Sequence, residues 1–293
     1  MDNTKMISGT KRFVVAFILI APFIATIYGI YAMWNEGVDM ISLALLAGFW
    51  LFSGFGITVG YHRCFTHRGF EIHNETLKRL LAIGGSMAFE GPLIAWVSWH
   101  WQHHKHTDEE GDPHSPHLSG KGFWNSVKGF IHAHSGWFFN PPVVVDAHVR
   151  NLCKDKVLIE VSRQFKFWSL FGLILPAIIG VVVRGSLDHL LSDFLWGGPI
   201  RVFFVHHFTW SVNSICHIWG KREFATEDRS TNFGFLALFT LGESWHNNHH
   251  ADMRSARHGF KWWQIDPSWY LILLLHRLGF ISTPHVPSQP HSS

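Results

Sequence analysis

Apolar residues in this chain come in runs too long for one face of a soluble domain. Phe13 to Met33 carries no charge over 21 residues, which at about 1.5 Å rise per residue covers a hydrocarbon core of roughly 30 Å. Met40 to Tyr61 has the same apolar character, and only WNEGVD separates the two runs, a linker that predicts an antiparallel helical hairpin. Phe167 to Val183 is a further uncharged run, closed by Arg184. Leu195 to Trp219 is apolar but interrupted by Arg201, His206, His207, Asn213 and His217. As a span it requires those positions to face protein, because polar groups facing lipid are costly. Leu80 to Trp99 contains Gly84, Gly85, Glu90, Gly91 and Pro92, and reads as a broken helix buried in protein or lying at the interface. The pattern predicts an all-α integral membrane fold with four transmembrane helices (13–33, 40–61, 167–183 and 195–219) in two hairpins. Segments 62–166 and 220–285 then form a helical cap, all within one domain spanning 1–293.

Charge orients the hairpins. Lys5, Lys11 and Arg12 precede the first run, Glu36 and Asp39 sit in its loop, and Arg63 and Arg68 follow the second run. By the positive-inside rule both ends of that hairpin face the cytoplasm, and four spans return the chain to the same side. Termini and cap are therefore expected in the cytoplasm. The first run is too long for a signal-peptide core and no small-residue cleavage pattern follows it, so it is expected to remain as an anchor. Hydrophobic residues make up 47% of the chain and charged residues only 15%, which agrees with a membrane protein. The net charge of +3, without a basic stripe, argues against a nucleic-acid partner. Basic residues at the cytoplasmic face are expected to meet anionic lipid head groups. Cys64, Cys153 and Cys216 are an odd set that suits a reducing compartment, and each reads as a buried small hydrophobe.

Candidate chemistry lies in three histidine clusters: His62 and His67 in GYHRCFTH, His100, His103 and His104 in WHWQHH, and His246, His249 and His250 in WHNNHH. Residues three and four apart share a helix face, so each HxxHH element aims its imidazoles into one volume. Imidazole suits iron, copper, zinc and nickel, and the chain has neither a CxxC pair nor a clustered carboxylate set for a thiolate or calcium site. The clusters together read as a redox metal pair. Histidines outside them, apart from His217, read as ordinary polar surface residues.

GITVGYHRCFTHRGFE, WHWQHHKHTDEEGDPHSP and GESWHNNHH, in this order and with these intervening lengths, resemble the membrane fatty acid desaturases, and within them the stearoyl-CoA (delta-nine) branch of bacterial and cyanobacterial type. The resemblance runs from the first helix to about Phe280. It implies two irons (a di-iron centre) and O₂ as oxidant, acting on a saturated acyl chain to introduce a cis double bond. It adds His217 as a ninth ligand and Asn213 as the holder of a metal-bound water. The resemblance further implies one metal on His62, His67, His100, His104 and His250, the other on His103, His217, His246 and His249, and a substrate tunnel with Trp96 near its bend. Ser98-Trp99 stands where animal acyl-CoA enzymes carry an Arg-Asp pair, so an acyl-lipid and an acyl-CoA substrate both stay open.

Abstraction of hydrogen from an unactivated methylene is beyond any side-chain base, so a bound oxidant must carry that step. The chain has no cysteine cluster for an iron–sulfur centre and no haem-binding segment, which implies an external electron donor, a ferredoxin or a b-type cytochrome with its reductase. Asp112, in the DPH after the second box, reads equally as an acceptor for a ligand imidazole and as a turn residue; Glu243 reads as a further acceptor. Glycines of the first hairpin, Gly48, Gly54, Gly56 and Gly60, are expected mostly to permit close packing. The competing functions are a di-iron fatty acid or alkane hydroxylase, disfavoured by the spacing of the first box, and a polytopic metal transporter, disfavoured because most ligands lie outside the spans.

Overall fold

The computed structural model describes residues 9–142 and 147–287; Lys5, used above for orientation, lies outside them. The described residues are helical, joined by loops with isolated β-bridges such as Ile72 with Ile281. Helix α1 spans Gly9–Glu36 and α2 spans Met40–Phe55. Asp39 fixes the start of α2 by accepting the amides of Ile41 (2.9 Å) and Ser42 (3.2 Å), donors that a helix N-terminus leaves free. The helix then widens without a break into a π-helical stretch, Gly56–Thr66. Gly56 is the point at which this rod crosses α3 (Glu75–Met87): a β-carbon there would stand 2.8 Å from the Gly84 Cα and closer still to the Gly85 amide nitrogen. Close packing is thus the role of Gly56, as expected, whereas nothing lies within 4 Å of the space beside Gly48.

Between α3 and α4 (Leu93–His106) the chain breaks where the sequence predicts, with Phe89 and Gly91 at φ of 63° and 112° and Glu90 buried between them. Helices α5 (Phe123–His134), α6 (Ala147–Leu152) and α7 (Lys156–Arg163) complete the polar block before α8 (Phe165–Arg184). Cys64 and Cys216 are buried as expected, but Cys153 is exposed, because it lies just past the short α6, whose Val149 faces inward instead.

Among the described residues, three helical segments are long and apolar enough to cross a membrane: Arg12–Glu36, Met40–Thr66 and Phe165–Arg184. Leu170, Ile174, Ile178 and Val182 form an exposed stripe at four-residue spacing on α8, and Phe13, Phe17, Ile20, Ile24 and Ile27 are similarly exposed on α1. Stripes of this kind are suited to lipid contact. The fourth expected span, 195–219, is composite. Helix α9 (Leu190–Leu195) passes through a π-turn at Trp196–Ile200, which contains Gly197, Gly198 and Pro199, into α10 (Arg201–Ser214) and a 3₁₀ turn at Ile215–His217. Its polar residues face protein: Arg201 is fully buried and donates to the carbonyls of Gly197 (3.2 Å), Gly172 (2.9 Å) and Met87.

The two ends of α2 differ in chemistry. At its start, Arg184 at the end of α8 pairs with Asp39 and with Asp193 of α9 (3.1 Å), fastening the ends of α2, α8 and α9 together. At the far end of the same rod lie His62 and His67, against which the fold gathers α4, the 215–217 turn, α11 (His246–Ala251) and the chain leading to α12 (Pro267–Arg277).

Candidate metal centre

The local helix type decides where each imidazole points. A π-helix brings residues five apart onto one face, and the His67 amide donates to the His62 carbonyl at 3.0 Å, with the rings 4.8 Å apart. On α4, His100 and His104 share a face by their four-residue spacing, while His103 lies about 100° around the helix from His104. Helix α11 repeats the device with His246 and His250 as the pair and His249 as the odd member. The outcome is two groups: His62, His67, His100, His104 and His249, and His103, His217, His246 and His250, the ring nitrogens of each lying within 4.8 Å of one another. All nine histidines singled out in the sequence are therefore brought together. The division between groups corrects the expected one, which had His250 with the five and His249 with the four. The i,i+4 pair of an HxxHH element stays together, and the residue between them is the one sent to the other group.

Within each group the Nε2 atoms converge. His100 Nε2 lies 3.0 Å from those of His67 and His104, and His249 Nε2 lies 3.0 Å from that of His104 and 3.2 Å from that of His62. In the second group His246 Nε2 is 3.0 Å from His217 and 3.1 Å from His250, while the buried His103 Nε2 has no hydrogen-bond partner. Three rings have their outer nitrogen hydrogen-bonded to an acid, His103 to Asp112 (2.9 Å), His217 to Asp108 (3.0 Å) and His250 to Asp228 (2.9 Å), and His62 Nδ1 lies 2.7 Å from Glu243 in a close contact outside hydrogen-bond geometry. A carboxylate on Nδ1 fixes the proton there and leaves the Nε2 lone pair pointing inward. Lone pairs packed this closely repel unless a cation lies among them, so the donor set fits a metal in each group.

The acids are themselves positioned. Glu243 accepts from Arg63 Nε (3.0 Å), and Arg63 is held by Asp266 (2.9 Å). Asp112 bonds the amides of Asp108 (2.9 Å) and His114 (3.0 Å), so the two roles open in the sequence, imidazole acceptor and turn residue, are both filled. His258, His114 and His206 correct the expectation of surface histidines, since each is buried. His258 Nδ1 sits 3.1 Å from Glu243, the His114 ring packs 4.3 Å from that of His103, and His206 Nε2 lies 2.9 Å from the Ala88 carbonyl.

Electrostatics keep most of these rings neutral. Burial, reinforced by neighbouring imidazoles, holds His67, His100, His104, His246 and His249 well below the usual histidine value. His250 is lowered by burial to about 4, with Asp228 pulling the other way. His103 alone is raised, burial opposing the shift and Asp112 outweighing it. Burial acts to raise the acids, yet Glu243 is held low by Arg63 and the nearby imidazoles, and Asp112, Asp108 and Asp228 are held low by the histidines they touch.

Two cavities flank the groups. One is lined by Ile57, Thr58, Val212 and Thr240 together with His62 and His246, the other by Glu90, Trp99, Trp137, Phe138 and Trp210. Trp96, His100, Thr209 and Asn213 line both. Trp96, expected at a bend, stacks on His100 with ring centroids 5.1 Å apart. Asn213 lies in the last turn of α10 and His217 in the 3₁₀ turn beyond it, rather than on one continuous helix.

Sequence reasoning missed Asp108, Asp228, Arg63 and His258. Asp108 could have been suspected from its place just after HKHT, and Arg63 from its position beside His62. Asp228 and His258 lie in irregular segments where no periodicity points to them.

A fatty acid desaturase family model matches residues 39–274. The chain is 38% identical to the hex-5-enoyl-[acyl-carrier protein] acetylenase of Moorena producens over 282 residues, covering 95% of this chain and 87% of that protein. It is 38% identical to the acyl-CoA C20 Delta5-desaturase of Anemone leveillei, over 81% of this chain and 71% of the relative. It is also 38% identical to the sn-1 stearoyl-lipid 9-desaturase of Anabaena variabilis, over 82% and 81% respectively. With a family match across most of its length and relatives covering most of both sequences, the chain belongs to the fatty acid desaturase family.

Proposed function

We propose that this protein is an O₂-dependent fatty acyl desaturase that introduces a cis double bond into a saturated acyl chain at a di-iron centre. One observation carries the reading: nine histidine ring nitrogens converge in two adjacent groups, three of the rings being hydrogen-bonded to a carboxylate through the outer nitrogen. His62, His67, His100, His104 and His249 would hold one iron; His103, His217, His246 and His250 would hold the other, with a water on Asn213. The iron pair, when bound, supplies the O₂ activation and hydrogen abstraction that no side chain can. The chain's own residues do the rest. Asp112, Asp108 and Asp228 fix the imidazole tautomers, Glu243, held by Arg63 and Asp266, sets its charge beside His62, and Trp96, Thr209 and Asn213 shape the passage in which a methylene chain would lie. Such a chain is held by burial, at about 0.8 kcal/mol per methylene, so depth reads its length and surface charge reads its carrier.

Delta-nine is the favoured position, supported by the spacing of the first box and by the stearoyl-lipid relative. The relatives also include an enzyme named for position five and another for an acyl-carrier-protein substrate, so acyl-CoA and acyl-lipid both remain in the proposal. Electrons come from an external ferredoxin or b-type cytochrome with its reductase. We place the protein in the membrane as four spans in two hairpins. Residues 195–219 are the fourth, supported by the inward-facing Arg201, and the cap and termini lie in the cytoplasm, supported by the flanking charges.

Expression in a desaturase-deficient host, followed by fatty acid analysis, tests the activity and the double-bond position together. His104→Ala and His249→Ala should each lose iron and activity, because a lost ligand is not restored by packing. Wild-type iron content and turnover in either variant would overturn the assignment.

A further inference from the structure

Two cavities that the metal centre does not use lie along one face of α1. The first, about 550 Å³, lies between α1 and the start of α9, and its lining includes Ala32, Glu36, Asp39, Asp188, His189 and Trp196. The second, about 280 Å³, continues along the same helix, with Ala21 and Ala25 on one wall and Leu173, Pro199 and Val202 on the other; every side chain that lines it is apolar. Leu195 borders both. On α1 the lining follows a single period, since Ala21, Ala25, Gly29, Ala32 and Glu36 recur every three or four residues and share a face. Small residues at this spacing ordinarily admit a neighbouring helix, but here they border open space. Gly29 keeps the groove open where the Ile200 side chain comes closest, because a β-carbon there would collide with it.

The groove opens toward the bilayer, with Phe17 and Tyr28 on its rim exposed by 62% and 49%. Apolar walls without neighbours forfeit dispersion contacts, so a lipid chain gains by lying between them. From Glu36 to Ala21 the groove runs roughly 22 Å at about 1.5 Å per residue, which matches one leaflet with its headgroup region, about 20–22 Å. Charge at the polar end selects the head. Among the described residues Glu36 and Asp188 have no ion pair, and the guanidinium of Arg184 is already held by Asp39 and Asp193. The rim is therefore net negative, attracting an ammonium and repelling an anionic head. His189, 48% exposed and 3.7 Å from Asp39, stands beside these acids as a donor for a phosphate oxygen.

We propose that this groove is a binding site for one phospholipid with an amine-bearing head, such as phosphatidylethanolamine, taken from the leaflet opposite the cap. Its ammonium lies against Glu36 and Asp188 and its phosphate beside His189, and one acyl chain passes Gly29 into the apolar cavity that Phe89 closes. The inference rests on the membrane placement proposed above and not on the iron chemistry. A helix of a second copy is the competing occupant. The acids disfavour it, because α1 of another copy would bring a further Glu36 to the rim and no cation.

Native mass spectrometry of the full chain, extracted in mild detergent and titrated with phosphatidylethanolamine or phosphatidylglycerol of matched acyl chains, tests the site. Wild type should carry one phospholipid per chain and hold the ethanolamine lipid roughly two- to fivefold more tightly, the scale of one exposed charge contact. Glu36→Gln combined with Asp188→Asn should erase that preference while a lipid still binds. Ala25→Trp fills the apolar cavity and should lose the lipid while keeping the circular dichroism and iron content of wild type; Ala32→Leu, at the polar end, is a smaller plug with the same expected outcome. Wild type without a bound phospholipid, equal affinity for the two lipids, a preference that survives loss of both acids, plug variants with full occupancy, or a lipid-free dimer closed over the groove would each overturn the site. Turnover measured on the same samples separates the two readings: an active enzyme that binds no lipid overturns this site alone, and a lipid-bound protein without desaturase activity overturns the functional reading alone.

Discussion

Asp228→Asn puts the carboxylate–histidine arrangement to its sharpest test, because the substitution hardly changes shape and should still disable the centre. Asp228 Oδ1 accepts from the Ser230 amide (2.8 Å), the Thr226 hydroxyl (3.0 Å) and the Ser230 hydroxyl, while Oδ2 receives His250 Nδ1 at 2.9 Å. An asparagine must keep its carbonyl where those three donors meet, which turns its NH₂ toward His250. Nδ1 then has to accept, the ring proton moves to Nε2, and the nitrogen 3.1 Å from His246 Nε2 carries a hydrogen in place of a lone pair. Ring charge does not enter: burial holds His250 at about 4, and removing the acid lowers it further. Loss of such a partner costs about 10- to 100-fold in metal affinity or activity, which is about 1.4 to 2.7 kcal/mol. Asp228→Ala leaves room for water to accept from Nδ1, so it should be the milder variant at the centre despite its larger change in shape. Iron per chain by elemental analysis and turnover of the holoenzyme in nanodiscs measure both variants, and melting of the metal-free forms separates misfolding from miscoordination. Wild-type iron and turnover in Asp228→Asn, or an alanine variant worse than the asparagine one, would refute the tautomer argument.

Asn213→Leu should retain its fold, with a melting temperature close to wild type, and lose roughly 10- to 100-fold in rate if it holds a metal-bound water; unchanged turnover would return Asn213 to helix packing. Gly56→Ala forces a methyl group onto the backbone of Gly84 and Gly85, and should destabilise the protein by about 1–3 kcal/mol, read as a lower melting temperature and yield. The metal-free protein should lose stability as pH falls. His67, His100, His104, His246, His249 and His250 have folded values below the usual 6.5, so the unfolded chain binds more protons and stability rises with pH. The loss begins near 6.5 and continues at least to about 4, where His250 protonates; His103 alone runs the other way. Melting temperatures across that range check the sign, and a flat profile would contradict it.

The sequence made most of the ligand set legible because helices impose periods on side chains. His100 and His104, or His246 and His250, could be paired by counting four residues, and apolar runs with charged flanks marked α1, α2 and α8. The division between the two groups was harder. It depends on a 100° rotation between His249 and His250 and on how α11 docks against α4, and spacing within one element says nothing of docking. The π-helical stretch was equally hidden: Gly56–Thr66 reads as the end of an apolar helix, yet its wider turn is what brings His67 back to His62.

The four acids mark where periodicity stops helping. Asp108, Asp112 and Asp228 sit in loops where their carboxylates also accept backbone amides, such as that of Arg229 on Asp108 (2.8 Å), and Glu243 lies in irregular chain just before α11. Asp112 and Glu243 can be proposed because each stands near a box, and Asp108, just after HKHT, is open to the same argument; Asp228 lies 22 residues from the imidazole it holds. These loops do work that the helices cannot, since a helix directs a ring but leaves its tautomer free. Mutating a loop acid should therefore change metal content while leaving the helical fold and its melting temperature nearly intact, whereas removing a packing glycine such as Gly56 should do the reverse. A loop variant that unfolded the protein without first lowering its iron content would show that the two jobs are not divided in this way.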